Sequence, residues 1–360
     1  MIPSFSRTSL LILSGTTLLP AVNIAIDYRY DANGFFATGG SNPDAATARA
    51  ALESAAARWS RVLDANNLNA AAIDDTNDGR IGFFHPATGD PFEVSGAAGT
   101  GSDDLFGIGV PAADEYRPIT FTTDTWVLYA GGRPLGVSGQ GGTGSGTNVT
   151  STFTDPNSHL NRGFGGFHSS FGTRNLPTWG GSITFNNASG AFDYNGDFYS
   201  IALHEVGHAL GLNINGFDNF DQYVSGSDYL GPQAVAAFNA DNGASASSLA
   251  LESSTNPHWA DNGSPISPPP DAAQSFIFEL GGPDYSGTVG QGNLQDLLME
   301  PIQNFVTGGS NPISRIELTN IDVGGAQDLG WAIIPEPSTS LLVLLSAAGL
   351  LRRKRSISAG

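Results

Sequence analysis

The chain of 360 residues carries 34 acidic and 15 basic side chains, a formal net charge of −19, and no cysteine. Setting aside the charges at the two ends (Arg7; Glu336, Arg352, Arg353, Lys354 and Arg355) leaves 10 arginines, no lysine and 33 acids, a balance of −23. This excludes a nucleic-acid or anionic-membrane partner, which needs a basic stripe; thiol nucleophiles and disulfides; and a Walker phosphate loop, which needs a lysine after its glycines.

Residues 1–22 hold a lone Arg7, an apolar run from Leu10 to Leu19, then Pro20 and Ala21. That is the layout of a secretory signal peptide, and the run is too short to span a bilayer stably. A strand is expected from about Ile24 to Tyr30. From Asp44 to Leu63 the spacing predicts a helix, because Leu52, Ala56, Trp59 and Leu63 recur at helical intervals and Pro43 suits a first turn. Between Ile81 and Tyr129 the pattern turns to strands, clearest at Ile119, Phe121 and Trp126 to Ala130. Gly131 to Thr147 is rich in glycine and serine and reads as a mobile surface loop. Asp74, Thr76, Asp78 and Gly79 imitate the start of an EF-hand loop, but position twelve is His85 where a bidentate acid belongs, so a solvated turn is expected there. The acidity of the chain is still compatible with calcium (Ca2+) sites elsewhere. His85, His159 and His168 have no partner at ligand spacing and read as loop or surface histidines. No G-x-S-x-G nucleophile elbow occurs.

Trp179 to Asn186, WGGSITFN, alternates Ile183 and Phe185 with polar residues and reads as a strand. It is followed by SIALHEVGHALGLNI, Ser200 to Ile214, an apolar stretch expected to be a buried helix that Gly211 can end in the left-handed conformation. His204 and His208, four apart, fall on one face of that helix and converge on one point. Neutral imidazoles there suit zinc, and Glu205, one position after the first, is placed to act as general base on a water held by the metal. H-E-x-x-H alone is short enough to recur by chance. Further on, Asn215 to Asp228 reads as loop and Gly231 to Ala240 as a short helix. His258 and Trp259 follow, then Met299, the only methionine besides the initiator, and then Thr319 and Asp322, spaced as a helix-capping box ahead of Gly330.

HEVGHALGL resembles the active-site helix of the metzincin metalloproteases, whose pattern is H-E-x-x-H-x-x-G-x-x-H followed by a methionine turn. Ile214 stands where the third histidine belongs. Either the site is broken or the third ligand comes from elsewhere, with Asp218, Asp221, Glu252 and His258 downstream as candidates. The order HEVGHALGL, insertion, His258-Trp259, then Leu298-Met299-x-Pro301 is similar to the leishmanolysin-like proteases, which favours His258. The resemblance runs from about Gly180 to Trp331. It implies a zinc (Zn2+) site of His204, His208 and His258, a Met-turn at Met299, a substrate-binding edge strand at Gly180, Gly181, Ser182 and Ile183, and a closing helix within Ser314 to Trp331. The lack of cysteine departs from leishmanolysin itself, so its cysteine latency switch has no counterpart here.

At the far end come Pro335, Glu336 and Pro337, the apolar run Leu341 to Leu351, and the cluster Arg352 to Arg355. This order obeys the positive-inside rule and resembles the PEP-CTERM sorting signal of Gram-negative bacteria. The expected organisation is a signal peptide at 1–22, a metzincin-like catalytic domain at 23–333 and a sorting segment at 334–360. The expected fold is α/β (α+β) of the zincin type, with a mixed twisted sheet, the active-site helix and an irregular C-terminal subdomain. The expected function is an exported, monomeric zinc endopeptidase, a hydrolase acting on protein or peptide substrates at the cell surface or in the extracellular matrix. A sorting protease would act on its C-terminal segment, which would anchor it transiently in the inner membrane. The alternative is a catalytically inactive zincin-fold matrix or adhesion protein.

Overall fold

The computed structural model describes residues 21–64, 68, 70–73, 79–95, 114–143, 145–148, 166–168, 172–174, 179–188, 190–192, 198–212, 219–253, 256–260, 274–278, 294–299 and 316–334. The signal-peptide run, the sorting segment beyond Ile334, the Asp74 to Asp78 acids, His159, Ile214 and Asp218 lie outside the described residues.

The architecture is mixed α/β, with four α-helices and several small sheets among the described residues. The central sheet has four strands in the order Asn23–Asp27, Thr125–Arg133, Gly180–Asn186, Gly139–Thr143. The first three run parallel and the last is antiparallel to its neighbour. Strand periodicity explains how this sheet is covered on both faces. Trp126, Leu128 and Ala130 point into the core shared with the helices. Their alternates Val127 and Tyr129 join a second cluster with Tyr30, Ile81, Phe83, Phe121 and Trp179. That second cluster lies under a smaller sheet built on Gly79–Phe84 and Pro91–Ser95.

Helix α1 (Ala45–Val62) presents Ala48, Leu52, Ala55, Ala56, Trp59 and Val62 to the core, the face its spacing predicts. Small alanines let it pack closely on α2 (Phe198–Ala209), and the Trp59 indole N–H donates to the Leu203 carbonyl at 3.0 Å. The C-terminal part is less regular. Helix α3 (Pro232–Asn242) ends at Gly243 with φ 60° and packs against α4 (Asn320–Asp328). The Asp328 carboxylate accepts from the N–H groups of Gln233 and Ala234 at the start of α3, where a negative charge is favoured. The expected capping box is present: the Thr319 side chain and Asp322 bond each other's backbone N–H groups. It starts α4 at Asn320, so the segment from Ile316 to Leu318 precedes the helix and is not part of it. No helix among the described residues is long and apolar enough to cross a membrane.

Two expectations are corrected by this topology. The stretch Gly131 to Thr147 is not a loop: Gly131 to Arg133 finishes one central strand, Gly139–Thr143 forms another, and residues 145–147 lie in a strand, Ser145–Asn148, that pairs with Gly79–Phe84. Consequently Gly180, Gly181, Ser182 and Ile183 do not form an edge. Their strand is held on one side by Thr125–Arg133 and on the other by Gly139–Thr143, which takes the edge position. The glycines in that stretch reflect close approach rather than mobility. A Cβ on Gly141 would come within 2.0 Å of the Glu205 carbonyl oxygen, so only glycine lets the strand lie on α2.

Candidate metal centre

All twelve residues of α2 are buried, which is why its sequence is apolar on every side except at its chemical groups. The helix stops at Ala209, and Gly211 follows with φ 107°, a value that side chains disfavour. His204 and His208 therefore share one face, their ring centroids 4.6 Å apart.

Both rings are fixed from behind. His204 Nδ1 lies 2.7 Å from the Leu298 carbonyl oxygen and His208 Nδ1 lies 2.6 Å from that of Leu212. A carbonyl only accepts, so each Nδ1 carries the proton and each neutral ring is left with a bare Nε2 lone pair. His258, on the strand Asn256–Trp259, brings its own Nε2 to 3.1 Å from that of His208 and 3.3 Å from that of His204. Three nitrogens each about 2.0–2.1 Å from a tetrahedral ion would lie about 3.3–3.4 Å apart, so the spacing fits. The cluster can hold a metal ion, and it is such a group among the described residues. Burial keeps the rings neutral, as ligands must be: it lowers the His208 pKa to about 4 and that of His258 to about 3, and pushes His204 well down with help from its two neighbours.

Glu205 points from the same helix towards the edge strand. It is 6 % exposed, its Oε2 has no hydrogen-bond partner among the described residues, and the Gly141 N–H bonds its carboxylate. A Cβ on Gly139 would fall 2.8 Å from the Glu205 Cγ, so this strand is bare of side chains where it crosses the carboxylate. Burial raises the Glu205 pKa from 4.5 to about 8. A cation held by the three histidines would favour the ionised form and draw it back down.

The sign of that shift gives a measurable result for the metal-free chain. A carboxyl whose folded pKa is raised contributes stability below its unfolded value of 4.5 and loses it as pH climbs through about 8. Glu205→Gln does not titrate. Its stability relative to the wild type should therefore grow between pH 5 and 8, by up to about 1.4 kcal/mol per pH unit. Thermal melts of both proteins in chelator measure this, and a difference independent of pH would contradict it.

Beneath the site, Met299 is 1 % exposed and packs against α2 at Gly207. A Cβ at Gly207 would lie 2.6 Å from the Met299 sulfur, so the glycine between Glu205 and His208 makes room for the methionine. Glu252, an alternative third ligand, is exposed. Asp221 lies on the short turn Asn219–Tyr223. His85 is half-buried against Tyr30 and Phe92, and His168 sits on the strand Gly166–His168 rather than a loop. Reading from sequence missed Gly139 and Gly141, whose signal was the alternation of glycines in GQGGT. It also missed the carbonyls of Leu212 and Leu298, for which sequence carries no signal because every residue has one. No family model matches the chain, and no curated protein matches it in sequence.

Proposed function

We propose that the chain is an exported zinc endopeptidase of the metzincin type, with a leishmanolysin-like placing of its third ligand. One arrangement above all supports this: the His258 Nε2 lies 3.1 Å from that of His208 and 3.3 Å from that of His204, next to a buried glutamate with an oxygen that has no partner among the described residues. His204 and His208 each present a bare Nε2 lone pair towards the His258 ring, so a cation bound between them gains two ready ligands, and a third when His258 carries its proton on Nδ1. The donor set, three neutral imidazoles, suits zinc better than the harder calcium or magnesium. His204, His208 and His258 would hold the ion, which when bound supplies Lewis-acid polarisation of a peptide carbonyl and lowers the pKa of water.

The remaining work belongs to the chain itself. Glu205 takes the proton from the attacking water and hands it to the leaving amine, a role open to the carboxylate because a cation on the neighbouring histidines favours its ionised form. The strand Gly139–Thr143 pairs on one side only among the described residues, so its other edge offers main-chain groups to an extended peptide. Its glycines keep that path clear of side chains beside Glu205.

Zinc analysis of the purified chain, together with casein digestion with and without chelator, tests this reading. Stoichiometric zinc and chelator-sensitive digestion are expected. Zinc without digestion would favour the inactive matrix or adhesion protein instead, and no zinc would end the proposal. Export rests on the signal-like residues 1–22 and the PEP-CTERM-like segment 334–360. Protein recovered from its native surface should lack both ends by intact mass, whereas a full-length chain retained in the cytoplasm would contradict it.

A further inference from the structure

We infer that Asp322 is a positioning residue for the candidate metal centre, holding His258 and the floor under His204 in register through a single buried carboxylate. The inference rests on the three-histidine metal reading above. Asp322 begins as part of a helix cap: its Oδ2 accepts from the Thr319 N–H at 3.0 Å and from the Thr319 hydroxyl at 2.6 Å. A capping box needs nothing more. Yet the same oxygen accepts from the Leu298 N–H at 3.1 Å, and Oδ1 accepts from the Met299 N–H at 3.3 Å and the Trp259 indole N–H at 3.0 Å.

Those three donors lead straight to the site. Leu298 donates its N–H to Asp322, and its carbonyl accepts the His204 Nδ1–H that fixes the tautomer of that ring. Trp259 is the neighbour of His258, and its own N–H donates to the Met299 carbonyl at 3.0 Å. Three segments distant in sequence, at 256–259, 294–299 and 319–322, therefore meet on one carboxylate that is fully buried. His258 comes from a strand fifty residues beyond His208, so something outside α2 must set its position. A carboxylate serves because both oxygens accept, whereas an amide would turn an NH2 towards donors on one side. Outer partners that orient ligands typically change metal affinity by about 10–100-fold when lost.

The test uses the full chain and three substitutions, Asp322→Asn, Trp259→Phe and Thr319→Ala. Zinc affinity is measured by chelator competition well below each melting temperature, with the visible spectrum of the cobalt(II) form as a report on ligand geometry. Asp322→Asn should bind zinc about 10–100-fold more weakly and alter the cobalt spectrum. Trp259→Phe, which removes one donor and keeps the aromatic packing, should weaken zinc several-fold by the same route. Thr319→Ala removes a donor on the turn of Asp322 itself and keeps the three from Trp259, Leu298 and Met299, so it should lower the melting temperature as a lost cap does yet weaken zinc less than Trp259→Phe. A purely structural role would reduce melting temperatures in all three and leave zinc affinity alone. If Asp322→Asn does not fold, Trp259→Phe decides alone. Unchanged zinc affinity in the folded variants, beside a wild type that binds, overturns this inference. A wild type that takes up no zinc overturns the metal reading first and this inference with it.

Discussion

Glu205→Gln is expected to keep its zinc and its fold while losing about 10²–10⁴-fold in casein hydrolysis, the range over which a positioned general base contributes. The amide matches the carboxylate in shape, so it fits the space left by Gly139 and accepts from the Gly141 N–H as the acid does. What it lacks is basicity. The histidines, their carbonyl partners and Met299 are untouched, so zinc content measured on the same sample separates loss of chemistry from loss of metal. Glu205→Ala should lose as much activity but leave a cavity beside the edge strand, so its stability is less clean to interpret. Full hydrolysis by a zinc-loaded Glu205→Gln protein would remove the mechanism proposed for this site.

The parts of the fold that could be read from sequence are those whose cause is local. Helix α1 announces itself by Leu52, Ala56 and Trp59 at helical spacing, and α2 by an apolar run that carries two histidines four apart. The capping box at Thr319 and Asp322 was equally readable, since its geometry spans only three residues. Failure came where the cause was tertiary. Glycine-rich residues 139–143 look flexible in isolation, but they form the sheet edge because α2 passes so close that a Cβ would strike Glu205. For the same reason nothing in the sequence marks the strand Gly180–Asn186 as internal, because its covering neighbour Gly139–Thr143 carries no strand pattern of its own. Asp322 showed its cap and hid its three bonds to residues 23 to 63 positions away. A backbone N–H and an indole N–H leave no mark of their partner in the sequence.

His258→Ala should remove metal binding almost entirely, lowering zinc affinity by more than about a hundredfold, since the loss of a ligand exceeds the loss of a supporting contact. His204 and His208 would remain as a pair held at their Nδ1 atoms by Leu298 and Leu212, with too many positions left open to the ion. The ring is less buried than the other two and lies on a short strand rather than in the buried helix, so its removal should cost little folding stability. The melting temperature without zinc should therefore stay within a few degrees of wild type, while the increase on adding zinc should vanish, because a ligand stabilises only the state that binds it. Mutation of exposed Glu252 to Gln serves as the matched control and should retain the full increase. A His258→Ala protein that still gains the wild-type stabilisation from zinc would show that the third ligand comes from another residue, and would return Asp218 or Asp221 to consideration.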